Sequence, residues 1–324
     1  MPPSKKRKLS GLSGFELRQA YDSLIKLKQT ASEEEGPDEE GFEEQFDTLI
    51  SLLESKLEGP KFFTFSSMNA TNLTEFKIMF TGHLRLKPNL NELVAATTSL
   101  GQNELWSSTN LYRQLLLLES LVPKTTEATA RAWIDTFFFR ASAMLPSNKA
   151  MVLNMEHVVP ATTISPWSLR TIGGFIDYTA IVADECDAPL FLTSPRLEYL
   201  RTLPMPSSFF VKEAKIYNLS DHIAQAVCEM YACEKYLQEK LIRGALTNGR
   251  EWIFIFIKFN DNYDGASYQQ SGKVYFDTLR GPDGRLVIPG PWPDLITAIL
   301  SNWIQNSFVD LKSDDWFEVV PRRG

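Results

Sequence analysis

The sequence contains few of the residues that build disulfide frameworks, metal clusters and membrane spans. Its 324 residues include only 3 cysteines and 3 histidines. The cysteines, Cys186, Cys228 and Cys233, match no zinc spacing and are too few for a disulfide framework, which indicates a reduced, intracellular chain. A site built from several histidines is nearly excluded. No apolar run approaches the roughly 18 residues of a membrane helix, and there is no P-loop, nucleophile elbow or dinucleotide fingerprint.

The N-terminus lacks the apolar segment of a secretory signal, so we do not expect a secreted protein. It carries instead a basic cluster in the stretch PSKKRKL, formed by Lys5, Lys6, Arg7 and Lys8. Such a cluster resembles a nuclear-import signal, which the acidic groove of an import carrier binds. The alternative interpretation is a tail that only increases solubility. We therefore expect a nuclear protein, or a cytoplasmic one if the cluster is not a signal.

Charge is distributed unevenly along the chain, whose formal net charge is −7. Residues 33–47 are rich in Asp and Glu and contain no Lys or Arg, while the rest of the body is nearly neutral. The pattern predicts a basic disordered tail over 1–14, a helical region over 15–120 with an acidic linker at 30–47, and a main domain over 121–324. The overall charge favours no particular partner.

The second half of the chain alternates helical and strand patterns. Periodicity and turn residues predict a helix over 126–145, strands over 151–159, 174–183 and 209–216, a helix from Ser220 whose apolar stripe runs to Leu241, and a strand over 252–259. Strands this apolar need helices on both faces, which predicts an α/β fold with a three-layer α-β-α core. A hairpin over 273–288 and a helix over 295–308 follow.

Polar residues interrupt two of these strands. Asp177 stands in an otherwise apolar strand, and a buried carboxylate is costly unless it is paired or binds a cation. Glu213 and Lys215 are two residues apart, so both leave the same face of their strand. If the two strands are neighbours with Asp177 and Glu213 at the same end, the carboxylates converge on a Mg²⁺ or Mn²⁺ site. A turn-capping Asp177 and a plain Glu213–Lys215 ion pair are the alternatives.

The order helix, three strands, helix, strand, together with Asp177 and Glu213-Ala214-Lys215, resembles the PD-(D/E)XK nuclease superfamily. This superfamily has the restriction-endonuclease-like fold, and the resemblance covers roughly residues 121–260. Two further features agree with it. Gln225 occupies a helical place where several branches carry a glutamine that supports the active site. The stretch 244–249 resembles a Gly-x-x-Thr-Asn-Gly junction of the type I restriction-subunit branch.

The resemblance also implies an additional acid. Glu127 stands early in the first core helix, where many members carry an extra acid, and Asp135 on the same helix competes for that place. The long gap between Asp177 and Glu213 admits three rivals for the first acid role: Asp184, Glu185 and Asp187.

What the resemblance implies is a metal-dependent nuclease that hydrolyses phosphodiester bonds, with DNA as the expected substrate. The implied ligands of Mg²⁺ or Mn²⁺ are Asp177, Glu213, the backbone carbonyl of Ala214 and Glu127. Lys215 is implied to orient or deprotonate the attacking water, and Gln225 to hydrogen-bond the water or that lysine. The alternatives are a catalytically inactive nuclease fold that binds nucleic acid, and a protein-interaction module.

Other polar and aromatic residues are expected to be structural. Arg243 and Arg250 flank the turn before Trp252 and are expected to be solvated loop charges, with phosphate contact as the alternative. Trp252 belongs to a strand that is apolar on both faces, so its aromatic side chains are expected in the core. His157 has no partner at ligand spacing, which favours a structural role.

Overall fold

The structure is a computed structural model that describes residues 14–33, 47–53, 62–102, 105–123, 125–164, 170–202, 207–213, 218–314 and 316–322. The chain divides into two compact units, Met1–Phe62 with Trp167–Thr171, and Phe63–Pro166 with Ile172–Gly324. The first unit contains helix α1 (Gly14–Glu33) and a helix α2 over 47–53, joined by an ion pair between Lys28 and Asp47. The basic cluster Lys5–Lys8 lies outside the described residues.

The second unit contains most of the secondary structure. Its helices are α3 (Ala70–Glu75), α4 (Leu90–Thr98), α5 (Ser108–Leu121), α6 (Glu127–Ser142), α7 (Ala188–Thr193), α8 (Leu197–Thr202), α9 (Ile223–Leu237) and α10 (Trp292–Gln305). The strands are β1 (Phe62–Thr64), β2 (Ile78–Leu86), β3 (Lys149–Thr163), β4 (Thr171–Asp184), β5 (Ser207–Glu213), β6 (Leu241–Thr247), β7 (Glu251–Phe259), β8 (Ala266–Ser271), β9 (Val274–Tyr275), β10 (Leu279–Arg280), β11 (Leu286–Val287) and β12 (Phe317–Pro321).

A mixed ten-stranded sheet forms the centre of the second unit. Its order is β1-β4-β5-β6-β7-β8-β2-β12, with β3 on β4 and β9 on β7. The pairs β5–β6 and β2–β8 are parallel, and β4–β5, β6–β7, β7–β8 and β2–β12 are antiparallel. The α/β class predicted from the sequence is confirmed.

Helices cover both faces of this sheet because its central strands are apolar on both sides. Along β7, Trp252 and its alternating aromatic neighbours pack with α6 and α10, whereas Ile253 and Ile255 pack with α9. Trp252 is fully buried, which confirms that its strand belongs to the core. The small hairpin β10–β11 and helix α10 confirm the two C-terminal predictions in outline.

One predicted boundary was wrong. The apolar stripe of the helix after Ser220 was extended to Leu241, but α9 ends at Leu237 and Leu241 begins β6. Gln238 adopts a left-handed conformation with φ of 61°, and this conformation ends the helix. Its N–H still donates to the carbonyl of Glu234. No glycine or proline follows the end of the helix to indicate it in the sequence. Residues from Leu241 form a strand because β6 pairs with β5 on one side and β7 on the other.

Strand β2 is a further difference from the sequence analysis. The sequence pattern predicts a helical region over 15–120, yet Ile78–Leu86 forms a nine-residue strand of the main sheet. It pairs in parallel with β8 and antiparallel with β12, both of which come from the far end of the chain. These partners are far away in sequence, so local periodicity did not reveal the strand.

Candidate active site

The strands that carry the two predicted acids are neighbours. β4 and β5 are antiparallel, and Tyr178 pairs with Val211 at one end of their ladder. Asp177 directly precedes Tyr178 on β4 and so lies just beyond this end of the ladder. Glu213 is the last residue of β5, two positions beyond Val211. Both acids therefore stand at the same end of the same pair of strands.

The backbone of Glu213 also borders the turn that ends the stretch 244–249. On its other side, β5 runs parallel to β6, and Glu213 pairs with Thr247. The hydroxyl of Thr247 accepts a hydrogen bond from the N–H of Gly249 (2.8 Å) and donates one to the carbonyl of Glu251 (2.7 Å). This turn is therefore fixed beside the end of β5. Ala214 and Lys215 lie outside the described residues.

Asp177 lies where β4 changes the face that its side chains cover. Ile176 belongs to the cluster on the α9 side, whereas Tyr178, two residues later, belongs to the cluster on the α6 side. Residues two apart share a face in a regular strand, so the strand is irregular at Asp177. Gly174 adds a φ of 147° just before it. Irregularities of this kind redirect side chains, often beside active sites.

The carboxylate of Asp177 has a cationic partner that the sequence analysis missed. Its side chain is 28% exposed, and Oδ1 lies 3.7 Å from Nη2 of Arg131 on α6. Arg131 also donates from Nη1 to Oε1 of Glu156 on β3, at 3.1 Å. The expectation of a lone carboxylate is thus corrected. The partner comes from a different element, so no local pattern around Asp177 could indicate it.

Of the two acids on α6, Asp135 is the one that interacts with β4. Burial raises the pKa of the Asp135 carboxyl, and the Tyr178 hydroxyl and the Arg131 guanidinium each act to lower that pKa. Tyr178 is the neighbour of Asp177 on β4. Glu127, by contrast, is exposed as the first residue of α6. Asp135 is therefore within electrostatic reach of Tyr178 and Arg131, whereas Glu127 is exposed at the start of the helix.

Gln225 is held in place by a buried carboxylate. It lies in the first turn of α9, is half-buried, and donates from Nε2 to Oε1 of Glu229 at 3.1 Å. The side chain of Glu229 is only 1% exposed. Gln225 is therefore not a fully exposed surface residue.

The rivals of Asp177 lie at the other end of its strand. Asp184 ends β4, about 23 Å along the strand from Asp177, and its Oδ1 is 2.9 Å from Nζ of Lys149. Glu185 and Asp187 follow it into the next turn. None of the three is at the end where Glu213 lies.

The donor set fits a hard cation in its chemistry. Within the ranges that the structure describes, no group of three or more His, Cys, Asp or Glu residues is arranged to hold a metal ion. The predicted set, however, includes the carbonyl of Ala214, which lies outside those ranges. Two carboxylates and a backbone carbonyl are the oxygen donors that Mg²⁺ and Mn²⁺ prefer.

Two arginines do not have the roles expected of them. Arg243 is 1% exposed and its Nη1 lies 2.6 Å from Oδ2 of Asp314, so it is not a solvated loop charge. Arg250 donates to Glu119 at 3.1 Å and lies over the ring of Trp133. Both guanidinium groups are committed to the fold, which argues against phosphate contact.

His157 has a structural partner. It is buried, and its Nδ1 lies 2.8 Å from Oγ1 of Thr179 on β4. The contact ties β3 to β4 close to the candidate site, in agreement with the structural role expected from the sequence.

Helix α9 also buries a second acid, which predicts a pH effect. Glu234 is fully buried, with both carboxylate oxygens unpaired within the described residues, and burial raises its pKa well above the usual range. The folded state therefore holds this proton more tightly than the unfolded state. As pH rises above the unfolded pKa of about 4.3, this acid lowers stability progressively.

We expect Glu234→Gln to be more stable than the parent at neutral pH, with a gain that grows from pH 5 to pH 8. The measurement is the thermal unfolding midpoint as a function of pH. Glu185→Gln is the control, since Glu185 is exposed and no burial opposes its charge. An equal gain at every pH would contradict the assignment.

A scan against protein-family models finds no matching family, and a search of curated proteins finds no significant relative. Among the helices that the structure describes, none is long and apolar enough to cross a membrane.

Proposed function

We propose that this chain is a metal-dependent nuclease that hydrolyses phosphodiester bonds of nucleic acid, with DNA as its substrate. The observation that carries the proposal is the placement of Asp177 and Glu213 at one end of two adjacent antiparallel strands. The element order supports it as well. Apart from the short helices α7 and α8 between β4 and β5, the order of α6, β3, β4, β5, α9 and β6 is the helix, three strands, helix, strand order of the restriction-endonuclease-like fold.

The roles of the residues follow from their chemistry. Asp177, Glu213 and the carbonyl of Ala214 would hold Mg²⁺ or Mn²⁺, with Asp135 or Glu127 nearby. When bound, the ion supplies Lewis acidity at the phosphoryl oxygen and lowers the pKa of a bound water. Lys215 would orient the attacking water by donating a hydrogen bond, or accept its proton.

Two neighbouring contacts support this arrangement. Glu229 fixes the amide of Gln225, which leaves the other amide atom free to bond the water or Lys215. Arg131 neutralises part of the carboxylate charge at the end of β4. The carboxylates would otherwise repel one another before the cation binds.

A plasmid-cleavage assay tests the proposal. We expect the wild-type chain to nick or linearise plasmid DNA with Mg²⁺ or Mn²⁺ and to be inactive with EDTA. Lys215→Ala should reduce the rate by about a hundredfold or more, because the water loses its positioning group. Lys212→Ala is the matched control, since Lys212 is three residues away and the alternation of the strand predicted over 209–216 assigns the two lysines to opposite faces. Equal cleavage by wild type and Lys215→Ala would refute the assignment.

One observation favours the second candidate, a nuclease fold that binds nucleic acid without cutting it. The Arg131 guanidinium lies where it satisfies Asp177 without any metal ion. This candidate predicts salt-sensitive DNA association in a mobility-shift assay and no turnover with any divalent cation. Nuclear import through Lys5, Lys6, Arg7 and Lys8 is a proposal common to both candidates.

A further inference from the structure

An open cavity of about 590 Å³ lies on the α9 side of the sheet. It is bounded by α3, the first turn of α9, and strands β2 and β8. Its volume falls within the usual range for small-molecule sites. The side chains that give it chemical character are Phe80, His83, Asp221, Tyr268, Gln270 and Arg322.

Three aromatic rings form one continuous wall of this cavity. The ring centre of Phe80 lies 4.9 Å from that of His83 and 5.3 Å from that of Tyr268. The register of β2 against β8 shifts between Phe80 and Gly82. Because of this shift, Phe80 and His83 line the same cavity although they are three residues apart. The plane of Phe80 is inclined by 69° to that of His83 and by 53° to that of Tyr268. His83 is exposed and the other two rings are half-buried, so part of each ring is accessible from the cavity.

Polar groups of both hydrogen-bonding types surround the rings. Arg322 brings a guanidinium to the rim, and its positive charge acts to lower the pKa of Tyr268, which burial raises. Gln270 supplies an amide with both donor and acceptor atoms. Asp221 supplies a carboxylate that accepts a hydrogen bond from Asn218 at 2.7 Å. Stacking surface, hydrogen-bonding groups for a base edge and a cation for a phosphate thus occur together.

The cavity lies at the same end of the strands as Glu213, on the face of the sheet opposite the contact between Asp177 and Arg131. Ile223 and Ala224 line it, and the next residue of α9 is Gln225. Across the sheet, Gln270 of β8 pairs with Ile255 of β7. Ile255 in turn pairs with Gly244 of β6, and Gly244 pairs with Phe210 of β5. Three strand spacings, about 14 Å, separate β8 from β5. A nucleic-acid strand that passes around this end of the strands can therefore contact both places.

We propose that this cavity binds an unpaired base, and Arg322 the adjacent phosphate, of a single-stranded polynucleotide. The proposal rests on the proposed function and assigns it a substrate class. Aromatic side chains bind bases by stacking without regard to sequence, and an arginine adds phosphate attraction. Double-stranded DNA offers no free base face for this wall, so single strands should bind more tightly than duplexes.

Fluorescence anisotropy with the full chain in EDTA tests the proposal, since EDTA prevents cleavage. The probes are an end-labelled oligothymidylate, the matching oligouridylate, and a duplex of equal length. We expect Phe80→Leu and Tyr268→Leu each to weaken oligothymidylate binding roughly tenfold, and Arg322→Gln to reduce the salt dependence by about one counterion. Tyr275→Leu and Arg285→Gln are controls at exposed positions of other strands and turns. Circular dichroism checks that each variant folds.

The outcomes separate this proposal from the nuclease assignment. If oligothymidylate binding depends on Phe80 and neither plasmid nor oligothymidylate is cleaved with any metal, the cavity assignment stands and the nuclease assignment fails. If plasmid is cleaved but Phe80→Leu and Tyr275→Leu bind equally, the cavity assignment is overturned. Labelled polyglutamate serves as a polyanion without bases. If it binds as tightly as oligothymidylate, the cavity assignment is also overturned, because binding would then not involve a base. The oligouridylate arm decides between DNA and RNA.

Discussion

Replacing Asp314 with alanine is expected to lower the free energy of unfolding by about 3–5 kcal/mol. The carboxylate is 0% exposed, and it pairs with the 1% exposed side chain of Arg243 at 2.6 Å. It also accepts hydrogen bonds from the indole N–H of Trp303 (3.0 Å) and from the backbone N–H groups of Trp316 (2.8 Å) and Phe317 (2.7 Å). Its loss leaves the buried guanidinium of Arg243 without a counter-charge and leaves these three N–H groups without the oxygen that accepts from them.

This effect is large because the pair joins three elements of the core. Arg243 lies on β6, Trp303 on α10, and Phe317 begins β12. Urea unfolding followed by tryptophan fluorescence measures the change. Glu318→Ala is the matched control: Glu318 forms an ion pair with Arg85 at 2.6 Å, but both side chains are exposed, so the expected loss is below about 1 kcal/mol. Similar losses for the two variants would contradict the account of the buried pair.

The second large effect concerns catalysis. We expect Asp177→Asn and Glu213→Gln each to reduce the rate of divalent-dependent plasmid cleavage by about a hundredfold or more. Each change keeps the shape of the side chain and removes one negative charge from the predicted ligand set. Both variants should therefore fold like the parent, and higher Mn²⁺ concentration should partly restore their rates.

The control for these variants is Asp184→Asn on the same strand as Asp177. Asp184 lies at the opposite end of β4 and pairs with Lys149. Its replacement should leave the cleavage rate within about twofold, since a surface ion pair contributes little. If Asp184→Asn inactivates the protein while Asp177→Asn does not, the rival acid is the correct one and the proposed site is wrong.

Elements with strong local patterns could be predicted from the sequence. Helices α6 and α10 each have an apolar period that matches their structure, and β7 has a continuous apolar run that is buried on both faces. Strand β6 could not be predicted because Leu241 continues the helical stripe and Gln238 ends the helix without glycine or proline. Strand β2 depends on partners far away in the sequence.

The candidate site shows the same division. The sequence predicts Asp177 and Glu213 at the same end of neighbouring strands as a condition for a metal site, and the register of β4 and β5 meets that condition. The contact between Asp177 and Arg131 could not be predicted, because it depends on how α6 packs across β4. Pairing between a helix and a strand leaves no periodic signal in either segment.

The most direct measurement is a crystal structure of the full chain with Mn²⁺ and its anomalous difference map. The account predicts one strong peak at the common end of β4 and β5, about 2.0–2.3 Å from carboxylate oxygens of both Asp177 and Glu213. It would be contradicted by a map without a peak there, with the Asp177 carboxylate still beside Arg131 and the Glu213 carboxylate directed to the opposite face of the sheet.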